Sequence, residues 1–98
     1  MPAASTQTIY QRETVIFAGR VQGVGFRYTV KNLALQHALT GYVRNLNDGR
    51  VELVMEGAES EREALVRAVR EKMQDYIRNV DRITAAGTGE FRDFSIRH

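Results

Sequence analysis

Gly23 and Gly25 stand directly ahead of Phe26 and Arg27 in the stretch GRVQGVGFR, residues 19–27. A glycine-rich turn lets the backbone approach a ligand closely. A helix starting behind it adds amide N–H groups without intrahelical partners and the positive end of a dipole. Such a place suits an anion. The plain alternative is that the glycines only make a tight connection, as short glycine motifs often do. Arg27 favours the anion: in the first turn of a helix a cation meets the wrong end of the dipole. Its planar fork, however, can hold two phosphate oxygens at once. The stretch lacks the Lys and Ser/Thr of a nucleotide P-loop, and GVG is not followed by the third glycine of a dinucleotide turn.

Few other residues offer chemistry. Asn45 closes GYVRN just before the turn NDG, where an asparagine by itself reads as a strand-end or turn residue. His37 falls late in a helical pattern and reads as a packing or helix-terminal residue, and His98 is the other histidine. Neither is placed as a general base. No HxxxH and no carboxylate cluster has metal-ligand spacing, so no metal site is expected. The acidic residues of residues 59–71 read as a solvated helix face.

The elements that must position Arg27 and Asn45 follow from periodicity. TVIFA, stopped by Gly19, reads as a strand of about five residues with Val15 and Phe17 inward. Phe26, Val30, Leu33, Ala34 and His37 fall at helical spacing. GYVRN is a second strand and NDG a turn. RVELVME is a third strand, in which Val51, Leu53 and Met55 alternate with outward Glu52, Val54 and Glu56. Ser60 and Glu63 have capping-box spacing, and Leu65, Val69, Met73 and Tyr76 line one face of a second helix. Glu63 lies four residues before Arg67 on its outer face. One or two closing strands then flank the turn from Gly87 to Gly89. The order β-α-β-β-α-β, with a possible last strand, is that of the split βαβ, ferredoxin-like α+β sandwich: an antiparallel sheet of four to five strands under two helices on one face. The first two strands, joined through a helical crossover, run parallel and end at the same sheet edge. The glycine turn and Asn45 are therefore expected to be neighbours.

Composition bounds the rest. A chain of 98 residues, 43% apolar with one proline, fits one small domain, expected over residues 13–98 behind a flexible tail of residues 1–12. With no cysteine, neither disulfides nor a thiolate cluster are available, and a reducing cytoplasm is the expected location. The stretch MPAASTQTIYQRET carries no apolar run long enough for a signal peptide, and nothing later approaches the ~20 apolar residues of a membrane span. Fourteen basic and twelve acidic residues leave a net charge of +2, far from the one-signed stripe of a nucleic-acid binder.

GRVQGVGFR, GYVRN followed by DGRVE, and the closing FRDFSI resemble the acylphosphatases over roughly residues 14 to 97. The resemblance implies the ferredoxin-like fold and hydrolysis of the carboxyl-phosphate bond of acyl phosphates without metal or cofactor. Arg27 would bind the phosphoryl group with the turn amides of Gln22, Gly23, Val24, Gly25 and Phe26, and Asn45 would position the attacking water. The substrate would be a small-molecule acyl phosphate, handled by a monomer with no nucleic-acid or membrane partner. Tyr42 stands where the family often has tryptophan, and Ala38 where a glycine often ends the first helix. Because fold does not fix function, the alternative is a non-catalytic binding module for an anion, a small ligand or RNA. Outward Glu52, Val54 and Glu56 speak against RNA, whose readers of this fold stack bases on central-strand aromatics.

Overall fold

Alternation in the first apolar run extends beyond TVIFA in both directions, giving β1 (Gln11–Gly19). The computed structural model describes residues 10–98. Residues 1–9, most of the expected tail, lie outside the described residues, while Gln11 and Arg12 are already paired in β1. After β1 come α1 (Phe26–Ala34), β2 (Thr40–Asn45), β3 (Val51–Glu56), α2 (Glu59–Lys72), β4 (Ile77–Ala86) and β5 (Phe94–Arg97).

The sheet order is β4-β1-β3-β2-β5. β3 lies at the centre, antiparallel to both β1 and β2, so β1 and β2 run parallel on either side of it. The sheet is mixed rather than wholly antiparallel, because β5 joins β2 in parallel. This follows from where the chain goes after β4: it crosses to the far edge, and the crossing is anchored by the Glu56 carboxylate, which accepts from the amides of Thr88 (3.1 Å) and Gly89 (3.0 Å).

Register layers the core. Val15, Leu53 and Val43 lie side by side, as do Phe17, Val51 and Asn45. Phe26, Val30 and Ala34 of α1 and Leu65, Val66 and Val69 of α2 join the inward valines and Phe17 in one buried cluster. Each of these valine, leucine and phenylalanine side chains contributes about 1.5–3 kcal/mol by leaving water. Because Asn45 shares the parity of Val43, it faces the helix-covered side at the strand end.

Several local expectations are revised. α1 stops at Ala34, three residues short of His37, which instead meets Glu61 at the start of α2 (2.9 Å). With Ala38 in place of glycine, this helix end uses no left-handed residue: Leu35 is right-handed, and Gln36 and His37 donate to the carbonyls of Leu33 and Ala34. The Ser60–Glu63 capping box does not form. α2 begins at Glu59 with Ala58 as N-cap, and Glu63 pairs with Arg82 on β4 (3.0 Å). Tyr76 lies beyond α2 and packs on the core edge. Val54 and Glu56, expected to face solvent, are buried.

Candidate functional site

The glycine turn and Asn45 meet as the crossover requires. Val21, Gly23, Gly25, Phe26, Arg27, Tyr28 and Asn45 line one small cavity of about 100 Å³ at the ends of β1 and β2. Val21 is fully buried beneath it. Phe26 is buried against Phe17 with ring centroids 5.1 Å apart, which locks the start of α1 to the end of β1. Arg27, the next residue, is thereby held at the sheet edge.

The three glycines divide into two roles. Gly23 and Gly25 adopt left-handed backbone (φ 79 and 78) with open space where a Cβ would stand. They serve curvature, which lets Gly25 cap α1. Gly19 serves close packing instead: a Cβ there would lie 2.3 Å from the Tyr76 carbonyl oxygen, where the β1–β4 register shifts.

The curled segment leaves donors exposed. Among the described residues, the amides of Gln22, Gly23, Val24 and Gly25 have no acceptor. α1 contributes its own orphan amides and carries no acidic residue in its first turn. Arg27 Nη1 lies 3.3 Å from both the carbonyl oxygen of Arg97 and Nδ1 of His98. Its Nε and Nη2 have no acceptor among the described residues, so the fork keeps free N–H groups.

Of the residues expected around phosphate, Gly23, Gly25, Phe26, Arg27 and Asn45 line the cavity. Gln22 and Val24 do not. Val24 packs on the core, and Gln22 donates its side-chain amide to the carbonyls of Leu46 (2.8 Å) and Arg50 (2.9 Å). It ties the glycine turn to the hairpin beside Asn45. That hairpin is stiffened by Asp48, whose carboxylate accepts from the Arg50 amide (3.1 Å) and guanidinium (2.8 Å). These contacts, the amide first, hold the Asp48 carboxyl below its ordinary range. Sequence reasoning missed the Gln22 clasp, the Arg97 support and the cavity wall formed by Tyr28. Only Gln22 carried a signal, as a polar side chain inside a backbone motif.

Among the described residues no three His, Cys, Asp or Glu side chains converge as a metal-binding set would, and no helix is long and apolar enough to cross a membrane. On the face without helices, Tyr42 and Phe91 meet edge to face at 5.8 Å. Arg97 covers the Tyr42 ring at 3.9 Å and Arg12 the Phe91 ring at 4.7 Å. Burial, then the nearby Glu52 charge, pushes the Tyr42 phenol up from its usual range.

Element order, sheet topology and the placement of the glycine turn together define an α+β sandwich of the ferredoxin-like class with its candidate site at the β1–α1 turn. The acylphosphatase family model matches residues 13–96, and the chain belongs to that family. An acylphosphatase of Trichormus variabilis is 54% identical over 67 residues, 68% of this chain and 66% of the relative, just under two thirds of its length. One from Methylococcus capsulatus is 45% identical over 87 residues, covering 88% of this chain and 95% of the relative. The crystal structure of acylphosphatase from Bacillus subtilis superposes with a TM-score of 0.81 at 33% identity, over 90% of this chain and 99% of that one.

Proposed function

We propose that this chain is an acylphosphatase, hydrolysing acyl phosphates to a carboxylate and inorganic phosphate by metal-independent in-line attack of water. The observation that supports this reading is one cavity, of a size for a phosphoryl group, lined by Gly23, Gly25, Arg27 and Asn45, beside turn amides that have no acceptor among the described residues. The amides of residues 22–26 and Arg27 surround the phosphoryl oxygens, where negative charge concentrates in the transition state. Asn45, at the strand end facing the same cavity, orients the water.

The leaving group explains the sparse machinery. A carboxylate departs without protonation, since its conjugate acid has a pKa near ~4. Water adds to phosphorus as the bond from phosphorus to the carboxylate oxygen breaks. Asn45 has no ionisable group and a guanidinium offers no acceptor, so a phosphoryl oxygen of the substrate takes the proton of the water. The products are a carboxylate and protonated inorganic phosphate.

The absence of cysteine fits a reducing cytoplasm, and the absence of metal-ligand spacing fits a metal-independent reaction; we take the enzyme to act as a monomer. The binding-module alternative is not favoured. A base-stacking platform needs open rings, and Arg97 and Arg12 cover those of Tyr42 and Phe91. The test is hydrolysis of acetyl phosphate in excess chelator, with Arg27→Ala and Asn45→Ala alongside. Each variant should lose on the order of 10²-fold or more in kcat/KM. Undiminished turnover in both would overturn the site, and loss of all wild-type activity to chelator would overturn metal independence.

A further inference from the structure

Tyr28 follows Arg27 in the first turn of α1 and lines the same cavity as Gly23, Gly25, Arg27 and Asn45. It is 69% exposed. Phe17, Phe26, Tyr42, Phe91 and Tyr76 each pack against another ring or a guanidinium. Among the described residues, the Tyr28 ring has neither neighbour and its hydroxyl has no hydrogen-bond partner. Among the described residues, Tyr10, Leu35 and Ile83 are also exposed large hydrophobic residues, but none of them lines this cavity.

A cavity of about 100 Å³ has room for little beyond a phosphoryl group, so the acyl part of a substrate must lie at its rim. Gly23 and Gly25 offer no side chain there, and Val21 and Phe26 are buried. Of the residues that line the cavity, Tyr28 is the exposed one with an apolar side chain. We propose that Tyr28 is a specificity-determining residue whose ring receives the acyl group. Acyl phosphates with a flat, aromatic acyl group are then used in preference to small aliphatic ones. The proposal rests on the acyl phosphate reading of the site.

A ring gains from offset or edge contact with a second ring beyond what simple burial supplies, whereas an acetyl group reaches little of it. The measurement is kcat/KM for benzoyl phosphate and acetyl phosphate in the wild type, Tyr28→Ala and Tyr28→Phe. The benzoyl-to-acetyl ratio should fall about three- to tenfold in Tyr28→Ala and be kept in Tyr28→Phe. The ratio cancels any effect on the phosphoryl cradle shared by both substrates, and comparing it between variants cancels the difference in intrinsic reactivity between the two compounds. If the wild type cleaves both and Tyr28→Ala leaves the ratio the same or raises it, the role of Tyr28 is overturned while the acyl phosphate reading stands. If the wild type cleaves neither, that reading fails and the assignment falls with it.

Discussion

Arg27 Nη1 sits 3.3 Å from the carbonyl oxygen of Arg97, 70 positions further along the chain. The contact exists because β5 pairs in parallel with β2, setting Phe94–Arg97 beside Gly41–Arg44. Both strands then end at the edge where the glycine turn lies. A guanidinium tethered through one nitrogen can keep the rest of its fork directed at a ligand, which an ammonium on a flexible stem cannot.

Arg27→Lys therefore tests geometry apart from charge. The variant should fold with wild-type stability and lose on the order of 10²-fold in kcat/KM on acetyl phosphate. A lysine variant near wild-type activity would show that a point charge suffices and that the Arg97 tether is incidental.

Gln22→Ala tests the clasp between the two halves of the site. The variant loses two hydrogen bonds, to the carbonyls of Leu46 and Arg50, which net about 0.5–1.5 kcal/mol each. Asn45 immediately precedes Leu46, so its placement should loosen too. Small misplacements of positioning groups are costly to rate. The expectation is a kcat lowered roughly tenfold with a modest drop in unfolding midpoint. A lower midpoint with full kcat would restrict Gln22 to stability.

The two glycine roles separate on substitution. Gly25→Ala places a methyl in open space and suffers only the left-handed strain of about 1–2 kcal/mol. Gly19→Ala meets the Tyr76 carbonyl, so the start of β4 has to move and the loss should be larger. Urea unfolding of both variants ranks them; the reverse order would contradict the division.

Local chemistry explains what could be read in advance. Period-2 and period-3.6 patterns locate β1, β3 and both helices, and the helical crossover alone brings Asn45 to the glycine turn. Contacts settled at long range were not legible. The Ser60–Glu63 spacing suggests a capping box, but Arg82 on β4 takes Glu63. Glu56 looks outward by alternation, yet the later crossing segment buries it and supplies its amide donors. Arg97 shows nothing near itself in sequence that points to Arg27, because the parallel pairing of β5 is a property of the whole sheet.

Glu56 also sets a pH dependence. Its burial opposes the charged form, but the Thr88 and Gly89 amides and the Arg12 guanidinium (2.9 Å) outweigh that and hold the carboxyl below its ordinary range. A carboxyl depressed in the folded state stabilises the fold above its unfolded pKa, near ~4.3 for glutamate, and loses that contribution as pH falls through the lower folded value. Glu56→Gln removes the charge while nearly keeping the shape. It should cost about 1–3 kcal/mol at neutral pH, where charge-assisted hydrogen bonds are lost. Once acid protonates Glu56 the wild type resembles the variant, so the gap between them should narrow below pH ~4. Glu63 and Glu90, held low first by their hydrogen bonds to Arg82 and Arg12 respectively, weaken both proteins in acid. Their effects largely cancel in the difference, apart from the Arg12 that Glu90 shares with Glu56. Denaturant unfolding of both proteins from pH 7 to pH 3 gives the measurement, and a gap that stays constant across that range would place the Glu56 stabilisation outside its charge.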